Sequence, residues 1–315
     1  MNTITVPIVF AFDNRLTVPA AVAFTSLLMN ANEDTFYDIF ILHSRNEALD
    51  RDIISKVTDR FHNCRVTYIA VDDTFDNAFE IRDITTPAYY RLLIPGLIRE
   101  YDKVIYSDAD IIFRKDLSEV YHTDLEDCYF AGVKDPGVNL TDSGIKHLAS
   151  LPEVAAGCYI NSGFLLINSG RINKDRIADK LVSTTMHRWK YQDQDTINKV
   201  CAGRIKFLAP KYNMSDYVYQ FGLNYPEKWE KLYPIPDFEE GTVDGNIHYN
   251  GHKPWKKWCV NFDIWWEYYR KSPVFDHKYY FDFYYSRLNE LDQLPLLKRI
   301  KILARYFVYG RRKNP

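Results

Sequence analysis

The first 113 residues alternate between strand-like and helix-like patterns, and this alternation limits the folds open to the chain more than any other feature. Apolar and β-branched runs predict strands, and apolar residues at helical spacing predict helices. The predicted strands cover residues 6–12, 37–42, 65–71 and 104–106, and the predicted helices cover the segment after Pro19, residues 47–62 and residues 87–98, the last broken at Pro95. This order is typical of a largely parallel sheet with helices on both faces.

The second half of the chain is less regular. The patterns predict a strand over residues 158–168, a helix over 172–189, a short helix after the acidic segment 191–195 and a short strand over 246–249. No internal repeat is visible, and the regular pattern ends near Trp258. We therefore expect one α/β domain over residues 1–260, followed by a tail over residues 261–315.

Two carboxylates stand at the end of the fourth predicted strand. The segment KVIYSDADIIF, residues 103–113, places Asp108 and Asp110 two residues apart between apolar runs. Buried charge is costly unless it is paired or bound to a metal, and open α/β sheets bind ligands at the ends of their strands. Two solvated turn aspartates are the alternative. Because apolar residues flank the pair on both sides, we favour a site for Mg²⁺ or Mn²⁺ that also contacts substrate phosphates.

Composition excludes some classes of function. The net charge of −2 argues against nucleic acid as the main partner, and residues 1–10 lack the basic start of a signal peptide. No run approaches the roughly 18–20 apolar residues of a membrane span. The five cysteines form no CxxC pair, which favours a reducing compartment. Because GxGxxG and P-loop motifs are missing, we expect no glycine-rich turn that cradles phosphates.

The tail differs from the rest of the chain in its charge. From Leu294 to the end there is no Asp or Glu, whereas the cations are Lys298, Arg299, Lys301, Arg305, Arg311, Arg312 and Lys313. Apolar residues recur at helical spacing over residues 296–308. The pattern predicts a basic amphipathic helix within 296–315 that either lies on an anionic membrane surface or packs its apolar stripe on the domain.

Six segments occur in the order found in a known family. They are IVFAFDN (8–14), YYRLLIP (89–95), YSDADIIF (106–113), YINSGFLLIN (159–168), YQDQD (191–195) and HYNGHKPW (248–255). Through them residues 7–258 resemble the retaining glycosyltransferases of family 8, which include bacterial lipopolysaccharide galactosyl- and glucosyltransferases and, more distantly, glycogenin. The resemblance implies the α/β fold called GT-A, a Rossmann-like, mostly parallel sheet flanked by helices and merged with a smaller acceptor-binding region. Here a C-terminal helical tail would follow it.

The resemblance also implies roles for individual residues. Asp108, Asp110 and His248 match a Mn²⁺ site, with Mg²⁺ as the alternative, and the nucleotide diphosphate would complete the coordination. The residues matched to nucleotide binding are Ala11, Asp13, Ala109, Gly251 and Lys253, and those matched to the donor sugar are Arg91, Asn161, Ser162, Gly163 and Asp193. Gln194 matches the group beneath the anomeric carbon. The implied catalytic residues are therefore Gln194 and Asp193, with Asp195 as an alternative participant.

The implied reaction transfers galactose or glucose from a UDP-sugar to a saccharide acceptor in the synthesis of cell-surface polysaccharide, lipopolysaccharide or glycoprotein glycan. We expect an α-linked product from an α-linked donor. Because an amide is a poor nucleophile, front-face substitution is favoured over a covalent intermediate on Gln194. The resemblance to lipopolysaccharide galactosyltransferases favours galactose. The expected location is cytoplasmic, at the inner face of the plasma membrane if the tail binds lipid.

Two segments depart from the family pattern, and two rival functions follow from the residues. Residues 14–16, Asn-Arg-Leu, follow Asp13 where the family often has Asn and an aromatic residue, and residues 134–156, an expected acceptor lid, match no family segment. Haloacid-dehalogenase-like phosphatases also carry Asp-x-Asp, with the residue equivalent to Asp108 as nucleophile, but usually on the first strand. The other rival is a non-catalytic relative that binds nucleotide sugars.

Overall fold

The computed structural model describes residues 3–75, 86–289 and 294–309. The strands are β1 (Ile4–Ala11), β2 (Thr35–Ser44), β3 (Cys64–Val71), β4 (Val104–Ser107), β5 (Ile111–Ile112), β6 (Phe130–Lys134), β7 (Ile160–Ile167), β8 (Ile205–Phe207), β9 (Met214–Ser215) and β10 (Ile247–His248). The helices are α1 (Thr17–Met29), α2 (Arg51–Thr58), α3 (Ile94–Leu97), α4 (Ser118–Tyr121), α5 (Pro136–Leu140), α6 (Asp142–Leu148), α7 (Ser169–Lys174), α8 (Ile177–Thr184), α9 (Gln192–Val200), α10 (Asp216–Asn224), α11 (Pro226–Trp229), α12 (Ile235–Asp244), α13 (Phe262–Lys271), α14 (His277–Leu288) and α15 (Leu296–Tyr309).

Seven strands form one large sheet in the order β3-β2-β1-β4-β7-β6-β8. The pairs β1 with β2, β2 with β3, β1 with β4 and β6 with β8 are parallel, whereas β7 is antiparallel to both of its neighbours. Every residue of β4 is buried, as expected for a central strand covered on both faces. The predicted mostly parallel sheet with flanking helices is therefore confirmed.

Alternate residues of β1 pack in two separate cores, because side chains alternate between the faces of a strand. Phe10 packs with Phe24 of α1 and Ile54 of α2 on one face. Val9 packs on the other face in a cluster that also holds Leu92 and residues of α7, α8 and α9. The sheet is thus a rigid layer between two apolar cores, and its strand ends are held in fixed positions.

A second, three-stranded sheet in the order β5-β10-β9 lies beyond the end of β4. The chain leaves β4 at Ser107, turns through Asp108–Asp110 and enters β5. Strand β10 pairs antiparallel with β5, so that His248 lies opposite Ile111. A residue far along the chain is thereby placed next to the aspartate turn.

Three predicted helices differ from the structure. The helix predicted over residues 87–98 is wrong, because Thr86–Leu93 is a 3-10 helix and α3 follows it. Pro95 lies in the first turn of α3, where its missing N–H leaves no bond unmade, and it does not break the helix. The helix predicted over 172–189 is divided into α7 and α8 at Arg176, which has a left-handed φ of 55°. The helix expected after the acidic segment begins within it, at Gln192.

The chain forms two compact units. The first covers residues up to Pro254 together with Trp258–Val274, and the second covers Trp255–Lys257 with the segment from Phe275 onwards. Helix α13 belongs to the first unit, in which Trp265 and Trp266 are buried. The functional division expected at residue 260 stays a prediction.

The second unit contains α14 and α15. Asp276 caps α14 by accepting a hydrogen bond from the Tyr279 amide at 3.0 Å. The predicted tail helix coincides with α15, and its apolar residues Leu296, Leu297, Ile300, Leu303 and Phe307 are exposed. Arg311, Arg312 and Lys313 lie outside the described residues. Within the part of the chain that the structure describes, no helix combines the length and apolar character needed to cross a bilayer.

Candidate active site at the end of β4

Two carboxylates and an imidazole converge where β4 meets β10. The Nε2 atom of His248 lies 3.6 Å from Asp108 Oδ2 and 3.4 Å from Asp110 Oδ1. One potential ligand atom from each residue lies within 4.8 Å of the others. His248 is 2% exposed, and burial opposes its charged form, but Asp110 and Asp108 outweigh that effect and raise the pKa of His248 to about 9. The three side chains form a compact site with excess negative charge.

The donor set suits a hard divalent cation. Asp110 Oδ1 is buried and, among the described residues, accepts no hydrogen bond, so it has a lone pair available for a metal. Gly163 provides the space that His248 and Asp108 occupy, because a Cβ atom there would lie 2.2 Å from His248 Cε1 and 2.8 Å from Asp108 Oδ2. Two carboxylates with one imidazole match the ligands that Mn²⁺ takes. The residues present therefore fit the predicted metal.

Lys253 pairs with the inner carboxylate of this site. Its ammonium group contacts Asp110 Oδ2 and donates to the Tyr249 carbonyl at 2.6 Å. Burial of Asp110 favours its neutral form, but Lys253 and His248 prevail and hold the pKa of Asp110 below its usual range. Lys253 thus places a cation beside the predicted metal site.

Arg91 links the aspartate turn to the opposite wall of the site. The guanidinium group donates to Asp108 Oδ1 at 3.0 Å, lies 3.2 Å from Asp193 Oδ2 and also contacts the Ser162 carbonyl. It stacks on the Tyr106 ring at 4.3 Å. Burial works against the charged guanidinium, but the carboxylates of Asp108 and Asp193 dominate and raise the pKa of Arg91. Arg91 is therefore a buried, fully charged cation that lies between two anionic side chains.

Helix α9 supplies the residues expected beneath the donor sugar. Gln194 Oε1 accepts from the Ser162 amide at 3.0 Å, and Gln194 Nε2 donates to Asp135 Oδ2 at 3.2 Å. Both ends of the amide are therefore held in place. Burial raises the pKa of Asp193 to about 6, although Arg91 opposes the shift. Asp193 is an anion at neutral pH whose protonation lies within an accessible pH range.

Asp195, the alternative participant, is directed away from this cluster. Its Oδ1 atom accepts from Tyr159 at 2.5 Å and lies 2.8 Å from His147 Nε2, and its Oδ2 atom accepts from the Tyr191 amide at 2.9 Å. The side chain is fully buried. These bonds tie α6 to the start of α9, so the geometry favours a positioning role for Asp195.

The residues expected to bind the nucleotide flank the aspartate turn. Phe10 of β1 is in register with Ser107 of β4, which places the end of β1 beside the turn. Asp13 follows and forms an ion pair with Arg15 at 2.7 Å. Ala11 and Ala109 are buried. Gly251 lies against Asp216, because a Cβ atom there would be 2.2 Å from Asp216 Oδ2.

Direct contacts join most of the predicted site residues into one cluster. Its predicted members are Arg91, Asp108, Asp110, Asn161, Ser162, Gly163, Asp193, Gln194, His248 and Lys253. Ala11, Asp13, Ala109 and Gly251 lie around it as described above. The roles assigned to these residues stay predictions.

Sequence reasoning missed Asp135 and Asn213. Asp135 lies within residues 134–156, the segment that matched no family pattern, and Asp-Pro-Gly there is typical of an ordinary helix cap, which Asp135 also provides to Val138. Asn213 stands in an irregular stretch without any motif. The Asp-Pro-Gly signal could have marked Asp135 as a fixed residue, but neither position carried a signal for contact with the site.

Comparison with known proteins identifies a family. The profile described as "Glycosyl transferase family 8" matches residues 7–259. A Haemophilus influenzae relative is 27% identical over 67% of this chain and 64% of its own length. An Escherichia coli lipopolysaccharide 1,2-glucosyltransferase is 26% identical over 79% of this chain and 73% of its own length. The matched region thus spans just under two thirds of the Haemophilus protein.

Two solved structures share the fold. The bifunctional glycosyltransferase WbbM superposes with a TM-score of 0.70 at 22% identity, covering 90% of this chain and 52% of WbbM. The galactosyltransferase LgtC, in complex with donor and acceptor sugar analogs, superposes with a TM-score of 0.69 at 23% identity, covering 87% of this chain and 98% of LgtC. At these identities the superpositions establish the architecture.

Proposed function

Because this chain belongs to glycosyl transferase family 8, we propose that it is a retaining glycosyltransferase that moves a hexose from a UDP-sugar to a saccharide acceptor. The observation that carries the proposal is the cluster of Asp108, Asp110 and His248 at the end of β4. Among the described residues Asp110 Oδ1 accepts no hydrogen bond and faces His248 Nε2 at 3.4 Å, so it has a lone pair available for a cation.

Asp108, Asp110 and His248 would hold the divalent cation, Mn²⁺ or alternatively Mg²⁺. When bound, such an ion neutralises the charge that develops on a departing nucleoside diphosphate. Lys253 adds a second positive charge at the same place, since its stem is flexible and its ammonium already lies beside Asp110. With the ion bound, positive charge would therefore lie where the leaving group forms.

The opposite wall would orient the sugar. Asp193 accepts hydrogen bonds from sugar hydroxyls, and Arg91 holds Asp193 in position through their ion pair at 3.2 Å. Gln194 is held by Ser162 and Asp135, so its amide is a fixed dipole rather than a mobile nucleophile. We therefore favour front-face substitution. A phosphate oxygen of the leaving UDP accepts the proton of the acceptor hydroxyl, and the product is α-linked.

The donor and the acceptor belong to the same proposal. A relative named lipopolysaccharide 1,2-glucosyltransferase and a structural neighbour named galactosyltransferase support a UDP-hexose donor, either glucose or galactose. The name of the Escherichia coli relative also supports an acceptor in lipopolysaccharide, and the proposal keeps surface polysaccharide and glycoprotein glycan as alternatives. The basic, exposed helix α15 favours attachment to the anionic inner face of the plasma membrane.

A panel of nucleotide sugars tests the proposal. We expect UDP-galactose or UDP-glucose, incubated with Mn²⁺, to be hydrolysed slowly and to release UDP in the absence of acceptor. A phosphatase using Asp108 would instead release inorganic phosphate from phosphomonoesters. A non-catalytic relative would bind UDP-sugar, by calorimetry, without turnover. Either of those two results would refute the proposed activity.

The stereochemistry of the product has its own test. With an acceptor in hand, proton NMR of the fresh product distinguishes α- from β-linkages through the coupling of the anomeric proton. We expect an α-linkage from the α-linked UDP-sugar. A β-linked product would rule out front-face substitution.

A further inference from the structure

A continuous chain of buried hydrogen bonds leads away from His248. Its Nδ1 atom lies 2.8 Å from Asn213 Oδ1, and Asn213 Nδ2 donates to Asn161 Oδ1 at 2.9 Å. Asn161 Oδ1 also accepts from the Gly163 amide at 2.9 Å, and Asn161 Nδ2 donates to Asp135 Oδ2 at 3.2 Å. Asn213 is 1% exposed and Asn161 is 9% exposed. We call these five residues the His248–Asp135 network.

The two ends of this network determine the direction of every hydrogen bond in it. The Gly163 amide can only donate, and the Asp135 carboxylate, when ionised, can only accept. Asn161 must therefore present its oxygen to Gly163 and its NH₂ group to Asp135. Asn213 must then present its NH₂ group to Asn161 and its oxygen to His248.

This direction sets the tautomer of the imidazole. Because Asn213 offers an oxygen, the Nδ1 atom of His248 must carry a proton. A neutral His248 then has its lone pair on Nε2, the atom that faces Asp108 and Asp110 at 3.6 and 3.4 Å. A ligating histidine normally donates its other N–H to an oxygen that fixes the ring in this way.

We propose that Asn213 is a positioning residue that orients His248 for metal binding and links it to the wall beneath the donor sugar. This inference rests on the proposed function, because it takes Asp108, Asp110 and His248 as ligands. The link continues beyond Asp135, since Asp135 Oδ2 also accepts from Gln194 Nε2 at 3.2 Å. One buried asparagine thus connects the metal ligand, the Asn161 strand end and the amide of Gln194.

Removing the whole side chain of Asn213 tests the first half of the inference. Residues that hydrogen-bond to metal ligands typically contribute about 10- to 100-fold in affinity, so Asn213→Ala should weaken Mn²⁺ binding in the presence of UDP by that factor. Electron paramagnetic resonance of free Mn²⁺ measures the affinity directly. The matched control is Asn168→Ala, which removes the hydrogen bonds to Arg171 and Cys128 at the other end of β7 and should leave Mn²⁺ affinity unchanged.

Asn213→Asp tests the two hydrogen bonds of Asn213, to His248 and to Asn161, separately. A carboxylate still accepts the Nδ1 proton of His248, but it cannot donate to Asn161. We expect Mn²⁺ affinity close to that of the wild-type protein. Turnover of the UDP-sugar at saturating Mn²⁺ should still fall about tenfold, because Asn161 loses the hydrogen bond from Asn213. Equal losses of Mn²⁺ affinity in Asn213→Asp and Asn213→Ala would overturn the inference.

Spin-echo modulation of the Mn²⁺–UDP complex provides a readout that does not depend on activity. The wild-type protein should show coupling to an imidazole nitrogen, His248→Ala should lack it, and Asn213→Ala should show it weakened. If Asn213→Ala keeps wild-type Mn²⁺ affinity and full coupling, the role of Asn213 is refuted and the proposed function is not. Failure of the wild-type protein to bind Mn²⁺ with UDP would refute the proposed function instead.

Discussion

The candidate active site and the second unit distribute polar and apolar side chains in opposite ways. In the site Arg91 and His248 are only 4% and 2% exposed although both carry polar atoms toward the interior. In α15 Leu297 and Phe307 are 82% and 60% exposed although both are apolar. Each region therefore departs from the usual arrangement in which apolar groups are buried and charged groups are solvated.

Both departures oppose folding, and each indicates a different ligand. Buried charge is tolerated only when it is paired, and the site pairs most of its charges but leaves Asp110 Oδ1 without a hydrogen bond. Contiguous exposed apolar groups mark a surface that binds something else, and the cations beside them indicate an anionic partner. We therefore propose that the site binds a metal and a diphosphate and that α15 binds an anionic surface.

The substitution Asp110→Asn should have the largest effect on this comparison. It removes an anionic ligand and leaves Lys253 without its partner, so donor hydrolysis should fall by orders of magnitude at saturating Mn²⁺. Wild-type activity should vanish in chelator and return with Mn²⁺. Release of UDP is the measurement.

Asp38→Asn is the matched control for that change. Asp38 is also fully buried and accepts from Arg65 Nε at 3.0 Å, but it lies in β2, outside the cluster of site residues. We expect Asp38→Asn to lower thermal stability and to keep its dependence on Mn²⁺. Full wild-type activity in chelator would contradict the metal site.

Gly163→Ala should have a smaller effect by filling the space between ligands. The new Cβ atom would meet His248 Cε1 at 2.2 Å, so the imidazole must move. We expect Mn²⁺ affinity with UDP to fall about 10- to 100-fold, as for loss of a ligand's orienting partner. Gly96→Ala is the control, because its Cβ atom would have no neighbour within 4 Å. Equal affinities in the two variants would show that the space beside His248 is not needed.

Turnover should depend on the protonation of Asp193. It should fall about tenfold for each pH unit below 6 at saturating Mn²⁺. Since burial raises the pKa of Asp193 to about 6, its carboxylate is neutralised in mild acid and its ion pair with Arg91 is lost. Asp193→Asn should lower activity at neutral pH and flatten the acidic limb. An unchanged acidic limb in that variant would assign the titration to another group.

Stability should respond to Asp193 in the opposite sense. A raised pKa means that the folded protein binds this proton more tightly than the unfolded chain does. The contribution of Asp193 to the free energy of unfolding is therefore largest below about pH 4 and decreases as pH rises to about 6. Denaturant unfolding of wild-type protein and Asp193→Asn across this range measures the difference.

Local patterns were sufficient to predict the parallel half of the sheet. Strands β1, β2 and β4 are nearly continuous apolar runs, and burial on both faces requires that composition, whereas β3 is an edge strand and is only partly buried. The division between α7 and α8 was not visible, because Ile177 and Leu181 fit a helical stripe whether or not the helix is continuous. Side-chain hydrogen bonds supply the break: Asp175 accepts from Tyr129 and Arg171, and Asn173 donates to the Pro95 carbonyl.

The site was predictable where one motif contains the chemistry and not where distant segments meet. Asp108 and Asp110 lie two residues apart in one motif. His248 was placed with them through the resemblance to the family, and the family match confirms that resemblance. Asp135 and Asn213 carry ordinary polar side chains in segments without motifs. Asn213 meets His248 because β10 pairs with β9, and Asp135 meets Asn161 because β6 pairs with β7; no local pattern specifies either pairing.

Deleting residues 296–315 should have the smallest effect on chemistry and should separate the two regions. Each cation near an anionic bilayer contributes ~1 kcal/mol, and α15 carries Lys298, Arg299, Lys301 and Arg305. The full chain should sediment with phosphatidylserine vesicles at low salt and should be released at high salt, because the attraction is screened. The truncated chain should stay in solution, and its hydrolysis of UDP-sugar should be nearly unchanged, since every predicted site residue lies before 255.

Changing the four cations to Gln, with the apolar residues kept, should also abolish binding to anionic vesicles, and uncharged vesicles should bind neither form. If the truncated chain unfolds or loses hydrolysis, the apolar stripe of α15 contributes to folding. If the full chain ignores anionic vesicles at low salt, the cations are only a solvated face.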